Sequence, residues 1–176
     1  MSRIIWTYGI ISGAVVIGIA ILTANMASGS THIAGLEWLG YLVMLLALSL
    51  IFVGIKRYRD QQGGGVISFW HALRVGLGIS AVAGVIYVAA WEVNLAATDY
   101  RFIDDYNRSV LEQKRESGAT PAQMAEATAA AEKMKDQYGN PAFRLPMTFM
   151  EIFPVGLIIS LISAAALRRA EVLPAG

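Results

Sequence analysis

Four stretches of this chain are almost wholly apolar: residues 4–24, 39–55, 75–90 and 149–167. Each is bordered by charged or aromatic side chains. A helix of ~20 apolar residues matches a hydrocarbon core of ~30 Å. The pattern therefore predicts four spanning helices, at about 4–24, 39–55, 75–95 and 149–167. Arg3 ahead of the first run also fits a signal peptide. That run exceeds the ~7–15 residues of a signal h-region, and no small-x-small cleavage site follows it. It is read as a retained helix.

The segment between the third and fourth runs follows another rule. Met124, Ala127, Ala131, Met134 and Tyr138 recur at alternating intervals of three and four, a heptad stripe. Ile103, Tyr106 and Val110 do the same ahead of them. Gly118 can end the first of these helices. Thr120, Pro121 and Gln123 form a capping box with proline at the first helical position. Gly139 and Pro141 close the second helix. The prediction is an external antiparallel helical hairpin over about 98–139. It is free to continue from helix three, since nothing between Trp91 and Asp99 forces a break. Asp104–Arg108 and Arg108–Glu112 are expected as i,i+4 pairs. The Ile103–Tyr106–Val110 stripe runs out at Gln113 and Ser117. The longer stripe therefore needs a further partner, either a second copy or another protein, or the bundle itself through Phe143 and Leu145.

Helix three is expected to start after a Ser68 cap, with Phe69 and Trp70 at the membrane interface. His71 and Arg74 are read as interfacial anchors, with a lipid or partner site as the sharper alternative. Helix four is expected to start at a Thr148-x-x-Glu151 capping box after Pro146. Pro154 inside it predicts a kink.

Composition sharpens this picture. Only 15% of the residues are charged, against ~25% in a typical soluble domain. The net charge of +1 gives no case for nucleic acid. Cysteine is absent, which excludes disulfides, thiolate nucleophiles and cysteine-based metal sites. Arg3, Lys56, Arg57, Arg59, Arg168 and Arg169 fall on one side of four spans. The positive-inside rule then places both termini in the cytoplasm. No HExxH, P-loop or GxSxG is present. His32 and His71 fall on opposite sides, so no shared metal site is expected. No cofactor motif is found. Asn107–Arg108–Ser109 matches a glycosylation sequon, meaningful only in a eukaryotic secretory protein.

Helices in lipid associate through close packing at small residues. Gly9 and Gly13 form a GxxxG. Gly76, Ser80 and Gly84 share a face of helix three. Gly156, Ser160 and Ala164 share one of helix four. Packing within one bundle is the plain reading and a homo-oligomer seam the sharper one. Two carboxylates, Glu92 and Glu151, fall at matched depth near the outer edge. They can share a proton or hold a cation. The plainer alternative has Glu151 capping its helix and Glu92 pairing with Arg101 or Arg144.

Several segments resemble one family. They are Glu37-Trp38-Leu39-Gly40-Tyr41-Leu42-Val43-Met44, then Phe52-Val53-Gly54-Ile55-Lys56-Arg57-Tyr58-Arg59-Asp60, and Gly65-Val66-Ile67. Tyr87-x3-Trp91-Glu92 and Leu145-Pro146-Met147-Thr148-Phe149-Met150-Glu151-Ile152-Phe153-Pro154 join them. Together they resemble the bacterial DUF4199 family of small membrane proteins, over nearly the whole chain. The resemblance implies a bacterial inner-membrane protein with this layout. It supplies no activity, because the family is named for lacking one.

The resulting expectation is all-α: one domain, a four-helix transmembrane bundle with an external helical hairpin. Two functional classes follow. The first is a non-enzymatic scaffold or binding module whose hairpin contacts a membrane protein or a second copy. The second is a small proton- or cation-coupled carrier or channel using Glu92 and Glu151.

Overall fold

The computed structural model describes residues 1–27, 37–169 and 171–174, and among these every regular element is helical. In order these are α1 (Ser2–Ala27), α2 (Glu37–Leu48), α3 (Leu50–Gln62), α4 (Phe69–Ala97), α5 (Phe102–Glu116), α6 (Pro121–Gly139) and α7 (Pro141–Leu167). Three helices are long and apolar enough to cross a membrane: the Ser2–Leu22 part of α1, and the whole of α4 and α7. By length and composition this is a membrane protein. His32 and residues 28–36 of the predicted first loop lie outside the described residues.

The second apolar run differs from expectation. It is divided at Ser49 into α2 and α3, of 12 and 13 residues, each too short to span alone. The break is slight. Ser49 keeps right-handed helical backbone, and its N–H still reaches the Leu45 carbonyl at 3.0 Å. Its hydroxyl takes the Leu46 carbonyl at 2.6 Å, and Phe52 bonds back only three residues, to Ser49. A serine hydroxyl competing for helix carbonyls gives this kind of local tightening.

α4 sits at the centre, against α1, α3 and α7. Small residues set its spacing. A Cβ on Gly76 would meet Ser160 Oγ at 2.7 Å, and one on Gly156 would meet Ser80 Oγ at 2.7 Å. Each serine donates to its own helix, Ser80 to the Gly76 carbonyl at 2.9 Å and Ser160 to the Gly156 carbonyl at 2.7 Å. The two hydroxyls lie 3.3 Å apart. This reciprocal glycine–serine contact lets two backbones approach closely while every hydroxyl stays bonded. Gly84 lies under the Phe149 ring, and Gly9 and Gly13 face Val82, Ala83 and Ile86. The small residues singled out in the sequence thus face neighbours within the chain. The same contacts make α1 and α4 run in one direction, with α3 and α7 against them.

Two caps match their local sequence signals. Ser68 accepts the His71 N–H, and its hydroxyl also lies 2.8 Å from His71 Nδ1. Thr120 and Gln123 form the full capping box, with Pro121 in the first turn. The start of α7 is a correction. The Thr148–Glu151 box is not used. Asn140 caps the helix instead, accepting the Ala142 N–H at 3.0 Å with Pro141 at the first turn, and α7 runs on through Pro146 and Pro154. Asn140–Pro141 is itself a complete start signal, placed earlier. Thr148 is left buried in the helix interior.

α4 does not continue into the hairpin. It stops at Ala97, and Asp99 and Tyr100 take positive φ values of 53° and 55°. Side chains rarely adopt that left-handed conformation, and each instance costs ~1–2 kcal/mol. The Tyr100 N–H reaches back to the Leu95 carbonyl at 2.8 Å, which closes the helix end. In the hairpin, the expected Arg108 pairs are also corrected. Arg108 bonds Asp105 at 3.3 Å, while Asp104 crosses to Lys135 at 2.7 Å. An interhelical partner has displaced the intrahelical one.

Candidate functional site

Where α4 ends and α7 begins, Arg144 and the aromatic rings around it fasten the hairpin to the bundle. Arg144 is 3% exposed, and its guanidinium grips Glu92 through both oxygens, Nε to Oε1 and Nη2 to Oε2, each at 2.7 Å. Nη1 donates to the Tyr138 carbonyl at 2.8 Å. One cation therefore joins α4, the end of α6 and the start of α7. Fork-to-fork pairing is the strong form of this contact, because it fixes orientation as well as charge.

Aromatic rings enclose the pair. The Tyr100 ring lies 5.1 Å from the guanidinium carbon and the Tyr138 ring 5.8 Å. The left-handed turn at Asp99–Tyr100 is what brings the first ring there. Tyr138 also accepts the Trp91 indole N–H at 2.9 Å, and Phe102 packs edge-on against Trp91 at 4.9 Å. Burial lifts the Tyr138 hydroxyl above its ordinary value of 10.0, and the Trp91 hydrogen bond pulls it back down. The charges of Glu151 and Glu92 also push it up, and that of Arg144 pulls it down.

The two acids have separate partners. Glu92 belongs to Arg144. Glu151 accepts a hydrogen bond from the Tyr87 hydroxyl at 3.2 Å, and it stands on the outward side of α7 with Met150, Ile158 and Ile162. Among the described residues no group of three or more histidines and acids is placed to hold a metal ion.

The hairpin stripe is used within the chain. Ala127 and Tyr138 are buried, and Met134 packs against the main core with Tyr106. The Ala131 carbonyl accepts from Asn107 of α5 at 3.0 Å, and Met124 is half-buried. The outward face of α6 instead carries Glu126, Ala129, Lys133 and Asp136.

Sequence reasoning missed Arg59. It is fully buried, although it stands among the basic residues that follow the second apolar run. It donates to Asp60 at 2.9 Å, to the Val172 carbonyl at 2.8 Å and to the Leu173 carbonyl. Tyr87 was also missed as a partner of Glu151. Its signal was in the Tyr87-x3-Trp91-Glu92 motif, which stacks two hydrogen-bonding aromatics one turn apart beside an acid.

The family model described as a protein of unknown function, DUF4199, matches residues 7–169. This chain belongs to that family. No curated protein matches it, and no solved structure does. The residues that fasten Arg144, from Glu92 to Tyr138, therefore lie inside the span that defines this DUF4199 protein.

Proposed function

We propose that this protein is a non-enzymatic, four-span scaffold of the bacterial inner membrane, with both termini cytoplasmic, whose external hairpin is a binding platform. In this reading α2 and α3 together make the remaining span. The observation that carries it is the Arg144 clamp. A buried arginine that ties the hairpin to two spanning helices holds the outer face of α6 at a fixed position over the membrane. That suits a surface meant to be recognised. Binding by a pre-set surface avoids the cost of ordering it. Glu126, Ala129, Lys133 and Asp136 would form the contact face, and the partner is another membrane protein or a second copy.

Two experiments test this. Cysteines at Gly64 and Ala129 should label oppositely with an impermeant thiol reagent in intact cells, Ala129 reacting and Gly64 not. A photo-crosslinker at Ala129 should capture one discrete partner, and a crosslinker at buried Ala127 should not. Arg144→Ala should abolish the capture while the chain stays in the membrane. Equal capture with and without Arg144 would remove the argument from a fixed platform.

The second reading is a proton- or cation-coupled carrier. One observation favours it: Glu151 is an acid on an otherwise apolar outward stripe, with a single hydroxyl partner. Intramembrane ionisable groups commonly mark ion pathways. Glu92, paired with Arg144, would then support the site and not carry the ion. Flux in vesicles containing the purified protein, lost in Glu151→Gln, would favour this reading over the scaffold.

A further inference from the structure

The end of the bundle opposite the hairpin carries arginines of two kinds. Arg59 is enclosed, with every donor group engaged by Asp60 and the two tail carbonyls. Lys56 is also engaged, with Asp60 at 2.5 Å. Arg3, Arg57, Arg74, Arg168 and Arg169 are exposed, and none has a carboxylate partner among the described residues. Asp60, the acid nearest to Arg57 in sequence, already serves two cations.

Three of these five stand around one helix. The Ile5 side chain packs where a Cβ on Gly78 would lie, which sets the Arg3–Trp6 turn of α1 beside the Arg74 turn of α4. On the other flank the Tyr8 ring packs over Gly54, one turn from Arg57 of α3. Arg57 Nη1 donates to the Tyr8 hydroxyl at 3.4 Å. That hydroxyl keeps its own proton free to donate elsewhere. Trp6, in the Arg3 turn of α1, is 57% exposed. Tryptophan at such a position marks headgroup depth.

We propose that Arg57 and Tyr8 form a site for the phosphate of an anionic phospholipid headgroup. The guanidinium supplies charge and paired donors, and the Tyr8 hydroxyl supplies a third donor. A lipid is the occupant because Arg57 is exposed and the pair lies near the depth that Trp6 marks, just below the exposed Ile11 and Val15 of α1. The acyl chains would lie along Ile10, Ile11 and Val15, which are all exposed. This inference rests on the membrane reading above, but not on the platform or the carrier.

The test uses the purified full chain in nonionic detergent, with lipid added back. The readouts are lipid retained in native mass spectrometry and the midpoint of thermal unfolding. Phosphatidylglycerol should be retained and should raise the midpoint, and phosphatidylcholine should do neither. Arg57→Gln should weaken phosphatidylglycerol binding about five-fold, the size expected for one basic residue at an anionic surface. Tyr8→Phe should weaken it less, and Lys56→Gln should leave it within two-fold. Unchanged circular dichroism would show that the variants remain folded. Equal retention of the two lipids overturns the site while leaving the membrane reading intact. Failure of the chain to enter any bilayer overturns the membrane reading itself. If inorganic phosphate alone reproduces the stabilisation, the ligand is a free anion and the lipid assignment fails.

Discussion

Arg144 and Arg59 are both buried, at opposite ends of the same bundle, and they are neutralised in different ways. Arg144 meets a full carboxylate from a helix 52 residues away in sequence, so its pairing exists only when the tertiary structure does. Arg59 meets its immediate neighbour Asp60 and two uncharged carbonyls at the far end of the chain. One cation is held by charge across helices. The other is held by one local charge and by dipoles. The difference teaches which contacts define the assembly. Breaking the first pair strands a charge between three helices, whereas breaking the second opens a route to water at one end.

The largest effect should come from Glu92→Ala, which leaves Arg144 buried without its counter-ion. Loss of one partner from a buried pair costs about 3–5 kcal/mol. Unfolding in detergent should show it. The double variant Glu92→Leu with Arg144→Leu should recover most of the loss, because no charge is then stranded. A double variant as unstable as the single would break the comparison. Removing residues 172–176 deprives Arg59 of two carbonyls and should cost less, about 1–3 kcal/mol, since water can replace them. A tail deletion that destabilises as much as Glu92→Ala would show that both ends are equally closed.

Thr120→Ala sharpens the contrast at the hairpin tip, where no buried charge is involved. Loss of the cap should cost about 1 kcal/mol. Hydrogen exchange should show it confined to the first turns of α6, with the Arg144 region unchanged. The smallest effect is one of pH. Hydrogen bonds from Lys56 and Arg59 hold the Asp60 carboxyl below its ordinary value of 3.8. A carboxyl lowered on folding stabilises above its unfolded value and loses that contribution as the pH falls through the folded one. Wild type should therefore weaken more steeply below about pH 4 than Asp60→Asn does. Parallel acid profiles for the two would remove Asp60 from the account of the Arg59 end.

What the sequence made legible was local. The caps at Ser68 and Thr120 were readable because each donor and acceptor lies within three residues, and the apolar runs were readable from length alone. The start of α7 was not. Two complete start signals, Asn140–Pro141 and Thr148–Glu151, compete in one segment, and only packing chooses between them. The break after α4 was hidden because Asp99 and Tyr100 take a conformation usually left to glycine, stabilised by Arg144 at a distance. Glu92 was visible as a candidate, and Arg144 was one of two cations named for it. Nothing in the spacing decided between Arg101 and Arg144. Arg59 was masked by its company, since three basic residues at the end of a span look alike until one of them is enclosed.

Asn140 closes α6 and opens α7 with the same residue. The two helices are therefore geared to each other without slack. An α-helix turns about 100° per residue. A single residue inserted at that joint would rotate the outward stripe of Glu126, Ala129, Lys133 and Asp136 by about a quarter turn relative to the spanning helix below it. The hairpin then works as a pointer whose bearing is set by chain length at one position. Insertions there should be far less tolerated than at the Gly118 turn, at the hairpin's free end.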